Sequence, residues 1–599
     1  MRTAKAEVQA SRINAENLVS FLIEDFYNEL APTGRLETLG KLAQKTVAYY
    51  DSLPPALVTQ QTQINRAMAL VRLGSAQIAG GHQNAAGKSF DAAKTTFEKL
   101  RAAGDDGEPV TYGLALIQYN EGYAGAVSGG GSSTPLNQAA ALLKPLVNGA
   151  NPSRQVRQLY ADTLNIICLN QPPQQALATC DEALKILDGL GAQDLSDLNA
   201  AASWADTADT KSGELQALGS NAEALKLEQQ VFAMTEKVLA RRPGDLHALE
   251  DRFFAANRLA LLASNRHDAT AAMGYANQSV QAAQDWVRFD PSSIDAWSRW
   301  AQALAEVSGL QYERGEIAHA IATQRSALAL AQDPRSPKGL AAAIFYLWRG
   351  LAENQALSGD TAGAEQSLQA YLRALYAYAA GLPPHSPQRL LAGNVTNQPL
   401  TAGSLKLLEV APQAALLEVT TAITRIEAIK VPATDANTTR TKNLMLAAGF
   451  NAAARAAVQL GRYGQAETFA RQWLALTPDV IVQTDPKPRE SWAESVLAQA
   501  IAMQGRDAEA RNVLQPALDY YRQQLKAGAN GTDFRGDYAS ALYVSAIAQP
   551  ADAAGRKQRK ADIDEAAKLI AGASAQARRL TYMRYLSGLI AHAQAGLKG

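Results

Sequence analysis

The 599-residue chain has only two cysteines, Cys168 and Cys180, so it is not a small scaffold stapled by many disulfides. Aromatic residues make up 7% of a chain that is 47% hydrophobic, so its apolar content is mostly alanine and leucine, strong helix formers with small contact volumes. No uninterrupted apolar run approaches 18 residues, and a membrane span is not expected; Leu340–Trp348 is too short to cross a bilayer and reads as helix core. Neither sign of charge dominates, with Lys+Arg and Asp+Glu at 57 each, and a net-neutral chain offers no field for nucleic acid or an anionic membrane. Sustained β-branched alternation is missing, which argues against strands. The six histidines, His82, His247, His267, His319, His385 and His592, fall at no metal-ligand spacing. Gly87-Lys88-Ser89 lacks the glycine needed with four residues in between, where His82 stands, so it is no phosphate loop. No nucleophile elbow has a strand before it, and neither a catalytic residue nor a cofactor is expected.

What is present is a recurring frame of small residues. Gly74, Gly81, Ala86, Phe90 and Ala93 follow one another at spacings of seven, five, four and three. The same frame returns at Ala454, Gly461, Ala466 and Ala470 (closed by Pro478), and at Ala498, Gly505, Ala510, Leu514 and Ala517. A looser copy runs Ala352, Gly359, Ala364, Leu368. Two antiparallel helices joined by a tight turn explain it. The first helix needs a small residue at the crossing, the turn needs one tolerant of positive φ, and the second helix packs back through an alanine. Such a pair cannot bury its apolar face alone, so neighbours stack.

The frame resembles the tetratricopeptide repeat (TPR), whose best matches here cover roughly a quarter of the chain. The expected fold is all-α, an α-α superhelix built as a TPR-like solenoid of antiparallel helix pairs. Arg157–Leu187 and Ser308–Pro334 read as further pairs with longer helices or insertions. The expected organisation is 1–54 as N-terminal helices with an amphipathic 1–30, 55–381 as a first superhelical half, 382–403 as an irregular loop or hinge, and 404–599 as a second half. Ser128-Gly129-Gly130-Gly131-Ser132-Ser133 reads as a flexible linker, and Arg556-Lys557-Gln558-Arg559-Lys560 as a solvated loop or helix start. Trp286, Trp297 and Trp300, around Asp290-Pro291, read as core filling. Cys168 and Cys180 fall on the two helices of one pair, where they read as buried small residues, a disulfide being the other reading.

The pieces Ala15–Leu22, Leu30–Leu36 and Ala48-Tyr49-Tyr50 resemble the segment that leads into the TPR tail of bacterial multidomain signalling proteins of the membrane-linked, kinase type. No kinase residues are present, so no kinase activity is implied. The resemblance implies a non-enzymatic protein-interaction scaffold or sensor that takes a protein or peptide segment in its concave groove. One alternative is an assembly module for an effector domain that self-associates through helix 1–30, and a further one is an enzyme with an unrecognised site. Met1–Glu7 runs into a polar helix and not a signal peptide, so the expected location is cytoplasmic, or periplasmic if a membrane helix lies upstream. In a TPR the residues three before and one after the small crossing residue of the first helix face the groove. That frame nominates Arg349 and Glu353, Asn451 and Arg455, and Ser495 and Gln499. Val71 and Ser75 stand where a carboxylate clamp needs Lys and Asn, so that variant is not expected.

Overall fold

The computed structural model describes residues 36–127, 133–480 and 487–597. The expected amphipathic helix 1–30 and the glycine-serine stretch from Ser128 to Ser132 lie outside them. Among the described residues there are twenty-six α-helices and no strand. The fold is all-α, a TPR-like solenoid of antiparallel pairs, and it divides into two compact units.

Unit 1 comprises residues 1–259 and 285–290. It holds α1 (Leu36–Asp51), α2 (Gln60–Ala79), α3 (Gln83–Ala102), α4 (Glu108–Val127), α5 (Thr134–Val147), α6 (Arg154–Leu169), α7 (Pro173–Asp188), α8 (Leu198–Ala217) and α9 (Asn221–Arg241). The first part of α10 (Leu246–Asn265) and the end of α11 (Ala269–Phe289) belong to it as well. The pairs are α2/α3, α4/α5, α6/α7 and α8/α9, and the first helices α2, α4, α6 and α8 pack successively against one another.

Unit 2 comprises residues 260–284 and 291–599. After α12 (Ile294–Glu313) and α13 (Ile317–Ala329) come the single turn α14 (Leu340–Ala343), α15 (Leu347–Ser358), α16 (Thr361–Ala380), the short α17 (Pro387–Ala392), α18 (Asn394–Leu408) and α19 (Pro412–Glu427). Then follow α20 (Ala436–Gln459), α21 (Tyr463–Val480), α22 (Lys487–Ala502), α23 (Asp507–Lys526), α24 (Thr532–Ile547), α25 (Ala553–Ala571) and α26 (Thr581–Gly596). This array closes on itself: α24 packs on α12, and α26 on both α15 and α24. The seam is hydrogen-bonded. Thr532 Oγ1 donates to the Tyr312 and Glu313 carbonyls at 2.9 and 3.0 Å, and Ser574 Oγ to the Gly315 carbonyl at 2.7 Å. Gly315 is required there twice over, since its φ is +76° and an added Cβ would come within 2.3 Å of Ser574 Oγ.

The spacing frame appears in the backbone as expected. Gly81, Gly359, Gly461 and Gly505 all have positive φ, and Ala86, Ala364, Ala466 and Ala510 are buried behind them. A Cβ on Gly74 would meet the Phe90 ring at 2.4 Å, the close crossing that the small residue permits. The same seven-and-five spacing also holds at Ser212–Gly219–Ala224, Ala260–His267–Ala272, Ser308–Gly315–Ala320 and Gly403–Val410–Ala415, where His267 and Val410 take the left-handed position that glycine fills elsewhere. Ser212 and Ser308 fit at the crossing by donating their hydroxyls to the Ala224 and Ala320 carbonyls, at 3.2 and 2.7 Å.

Residues 382–403, expected as an irregular stretch, are largely helical. Ser386 caps α17 with Pro387 at its first position, and α18 carries Pro399 inside it. Pro399 cannot donate to the Val395 carbonyl one turn back; Arg425 Nη1 does so instead, at 2.8 Å. Trp297 is fully buried, its indole N–H donating to the Pro291 carbonyl at 3.0 Å. Cys168 and Cys180 are fully buried and form a disulfide that ties α6 to α7, with Cα atoms 5.7 Å apart. The basic run 556–560 lies in the first turns of α25, and Arg559 returns its guanidinium to the Ala546 and Gln549 carbonyls at the end of α24. Ser89 lies inside α3 and donates to Gln77 Oε1 at 2.9 Å.

Candidate functional site

The six groove candidates lie on the first helices α15, α20 and α22, all in unit 2. Arg349 Nε pairs with Glu353 Oε1 at 3.0 Å along one helix face. Arg455 lies with its guanidinium carbon 4.8 Å from the Trp492 ring centroid. Burial lowers its pKa, against the pull of Asp537 and Asp533 on α24. Asn451, one turn before it, is half-buried with Oδ1 unpartnered, and Gln499 is half-buried. Ser495 is only 2% exposed and returns its hydroxyl to the Ser491 carbonyl at 2.7 Å, so it offers nothing to a ligand. No bond joins the Arg349–Glu353 pair to Arg455.

Around Arg455 the inner helices carry acids, Asp533 reached by solvent and Glu313 and Asp537 half-buried, whose partners come from the closing seam. Tyr312 Oη donates to Asp533 Oδ1 at 3.0 Å, Tyr582 Oη reaches the same oxygen at 3.4 Å, and the Asp533 N–H donates to Glu313 Oε2 at 3.3 Å. Burial, with Asp533 next to them, pushes Glu313 and Asp537 each up to about 8.

Unit 1 carries a second, larger constellation on the matching face of α4, α6, α8 and α10. From α6, Asp162 Oδ1 accepts from Gln158 Nε2 at 3.0 Å, and the same amide reaches Ser203 Oγ on α8 at 2.8 Å. Asn165 Nδ2 donates to Asp206 Oδ2 on α8 at 2.7 Å. Asp209, also on α8, takes a two-pronged bond from Arg258 of α10, at 3.1 Å from Nε and 3.0 Å from Nη2. Arg258 is shared with the fully buried Glu228 at 2.8 Å. Asp251 and Glu250 add two more carboxylates from α10. Tyr119 and Tyr123 of α4 stack with ring centroids 6.2 Å apart.

The electrostatics follow from crowding acids into an enclosed face. Burial raises Asp162 to about 6, against the hydrogen bonds of Ser203 and Gln158. Asp206 is reached by solvent, yet it is walled by protein, and loss of bulk water raises it to about 7, with His247 pulling down and Asp209 pushing up. Asp251 is held well above the carboxylate range by burial and then by Asp206, Glu250 and Asp209. The Tyr119 phenol is likewise raised, by burial and the fields of Asp162 and Asp206.

None of these residues was nominated from the sequence, although the same frame contains several of them. Gly122, Cys168 and Ser212 are the small crossing residues of α4, α6 and α8. An added Cβ on Gly122 would come within 2.5 Å of Leu136, Cys168 Sγ packs 3.1 Å from the Ala176 carbonyl oxygen, and the Ser212 hydroxyl donates to the Ala224 carbonyl. Three residues before each stand Tyr119, Asn165 and Asp209, and one after Gly122 stands Tyr123. The signal was hidden because the turns that follow differ: the glycine-serine stretch after α4, Pro172-Pro173 after α6, and a serine at the crossing of α8.

No protein-family model matches the chain, and no curated protein is similar to it in sequence. Solved structures similar to it include yeast Tom70 (11% identity, 86% of this chain and 94% of that one, TM-score 0.30). The human IFIT1 dimer with PPP-AAAA has 15% identity over 71% of this chain and 87% of that one, with a TM-score of 0.31. The Cut9–Hcn1 hetero-tetramer of APC/C has 13% identity over 91% of this chain and 96% of that one, with a TM-score of 0.26.

Proposed function

We propose that the chain is a non-enzymatic interaction scaffold that takes an extended protein segment along its first helices. The observation that carries this reading is the contrast between faces within unit 1. The pair interiors are fully buried alanine, leucine and phenylalanine, whereas the shared face of α4, α6, α8 and α10 holds charged and aromatic side chains that packing alone does not require. Arg349 and Arg455 are the corresponding candidates in unit 2. The resemblance of residues 15–50 to the lead-in of bacterial signalling tails supports a sensing role, with recognition coupled to an effector. The Cys168–Cys180 disulfide favours an oxidising compartment, and so the periplasmic side of that arrangement over the cytoplasmic.

A displayed random-peptide library selected on the full chain tests this. Selected peptides are remade with a photo-crosslinking residue, and the attachment points are mapped by mass spectrometry. Crosslinks on the first helices of either unit are the expected result. Selection of no peptide, or crosslinks confined to the second helices, overturns the reading.

A further inference from the structure

The acid-lined face of unit 1 is short of hydrogen-bond donors. Its carboxylates are Asp162, Asp206, Asp209, Glu250 and Asp251, and its nearby arginines are already committed. Arg154 is bound to Asp197 through two nitrogens, and Arg258 is divided between Asp209 and Glu228. Three acceptors within the cluster, Asp251 Oδ2, Asn165 Oδ1 and Gln158 Oε1, lack a hydrogen bond. The first two belong to nearly buried side chains, Asp251 and Asn165 each being only 8% exposed. The Asn165 amide nitrogen is fixed on Asp206, so its oxygen is held at the cluster and still lacks a donor. A buried acceptor left empty costs free energy of desolvation, which a donor from outside would recover.

The chain itself shows what satisfies such a cluster. In unit 2 the comparable acids Asp533 and Asp537 face Tyr312, Tyr582 and the cationic Arg455, all supplied by the chain's own inner helices and closing seam. Unit 1 has the acids and the aromatic rings, but its cations act elsewhere: Arg258 is held by Asp209 and Glu228, His247 acts on Asp162 and Asp206, and neither bonds Asp251 Oδ2 or Asn165 Oδ1. A metal ion does not fit, because among the described residues no three His, Cys, Asp or Glu side chains are disposed to hold one. A planar guanidinium does fit. It brings five donors to several separated oxygens and stacks on phenol rings such as Tyr119 and Tyr123.

We propose that the α4–α6–α8–α10 face of unit 1 binds an arginine-bearing segment of a partner protein, its guanidinium seated among Asp206, Asp251 and Asn165 beside the Tyr119–Tyr123 pair. This rests on the proposed scaffold function and names the chemistry of what that face takes.

The test uses the full chain and short, extended, fluorescently labelled peptides that carry arginine, lysine, citrulline or glutamate at the same positions. Anisotropy titrations are run with wild type and with D206N, D251N and Y123L, each checked by circular dichroism. The expected order is arginine, then lysine, with citrulline about tenfold weaker or worse and glutamate undetected. D206N should weaken the arginine peptide about tenfold and leave the citrulline peptide unchanged. If D251N does not fold, D206N at its solvent-reached position and Y123L carry the same comparison. Equal binding of arginine and citrulline peptides, or arginine binding indifferent to D206N and Y123L, overturns the inference. Cation-independent binding that still crosslinks to the first helices would leave the scaffold reading standing; failure of the library selection would remove that reading too.

Discussion

The two units solve one packing problem with different topologies. In unit 1 hydrogen bonds between described helices join adjacent pairs, as in Arg258–Asp209 and Arg154–Asp197, separated by 49 and 43 residues. In unit 2 they span 221 residues at Tyr312–Asp533 and 259 at Ser574–Gly315. A solenoid with nearest-neighbour contacts has a stability close to a sum of pair and interface contributions, and it frays from its ends. A closed array cannot fray without first breaking its seam. Closure also decides what the inner acids face. In unit 2 the early helix α12 and the terminal α26 bring tyrosines onto Asp533, whereas in unit 1 no described residue donates to Asp251 Oδ2 or Asn165 Oδ1. The open unit is therefore the one with a face to offer.

Breaking the seam should have the largest effect. Gly315→Val places a β-branched residue at φ +76° and drives its Cβ into Ser574, and about 3 kcal/mol or more of unit 2 stability should be lost. Followed by hydrogen exchange in denaturant, α12, α24 and α26 should lose protection together while α2–α8 keep theirs. If the loss stayed local to α12, unit 2 would be an open solenoid like unit 1.

Reducing the Cys168–Cys180 bond sharpens the other side. The bond closes a short loop, with a sequence separation of 12. Chain-entropy reasoning gives about 3 kcal/mol for such a loop. The loss should appear in exchange at α6 and α7 and spread only to their neighbours α5 and α8. A global shift that included α24 would contradict nearest-neighbour behaviour in unit 1.

Acid titration should separate the units more gently. Asp162 and Asp206 have folded-state pKa values near 6 and 7, above the ordinary carboxylate value, so the folded state holds protons that the unfolded chain releases. Stability they contribute is present at low pH and falls as pH rises from about 4 to 7. Glu313 and Asp537, near 8, extend the same fall in unit 2 to about pH 8. Exchange protection should thus fall with rising pH in both units, and D162N should flatten the slope in unit 1 while leaving that of unit 2 unchanged. The same slope in D162N as in wild type would remove Asp162 from the account.

The smallest effect concerns a single turn. Val410 sits at φ +59°, where a β-branched residue is strained, and Val410→Gly should raise the melting stability of unit 2 by about 1 kcal/mol. A loss instead would mean that the packing of its side chain outweighs the strain.

The helix pairs were legible because small crossing residues and left-handed turns leave a regular mark, as Gly74–Gly81–Ala86 and Ala498–Gly505–Ala510 show. The mark is missed where physics permits a substitute: a serine that bonds back to a carbonyl at Ser212 and Ser308, or a strained non-glycine turn at His267 and Val410. The stretch 382–403 read as loop because its prolines break the local pattern, and only the distant Arg425 satisfies the carbonyl that Pro399 frees. Closure of unit 2 depends on contacts more than two hundred residues apart, which no local spacing records. The candidate face of unit 1 was legible in principle, since Tyr119, Asn165 and Asp209 obey the frame, but the frame itself was masked at α4, α6 and α8.

The most direct measurement is hydrogen exchange of the full chain with and without the arginine peptide. Added protection on α4, α6, α8 and the start of α10, with unit 2 unchanged, is the result that an open, donor-poor face predicts. Protection confined to α12, α20 and α24, or none on either unit at a concentration where the peptide is bound, would contradict it.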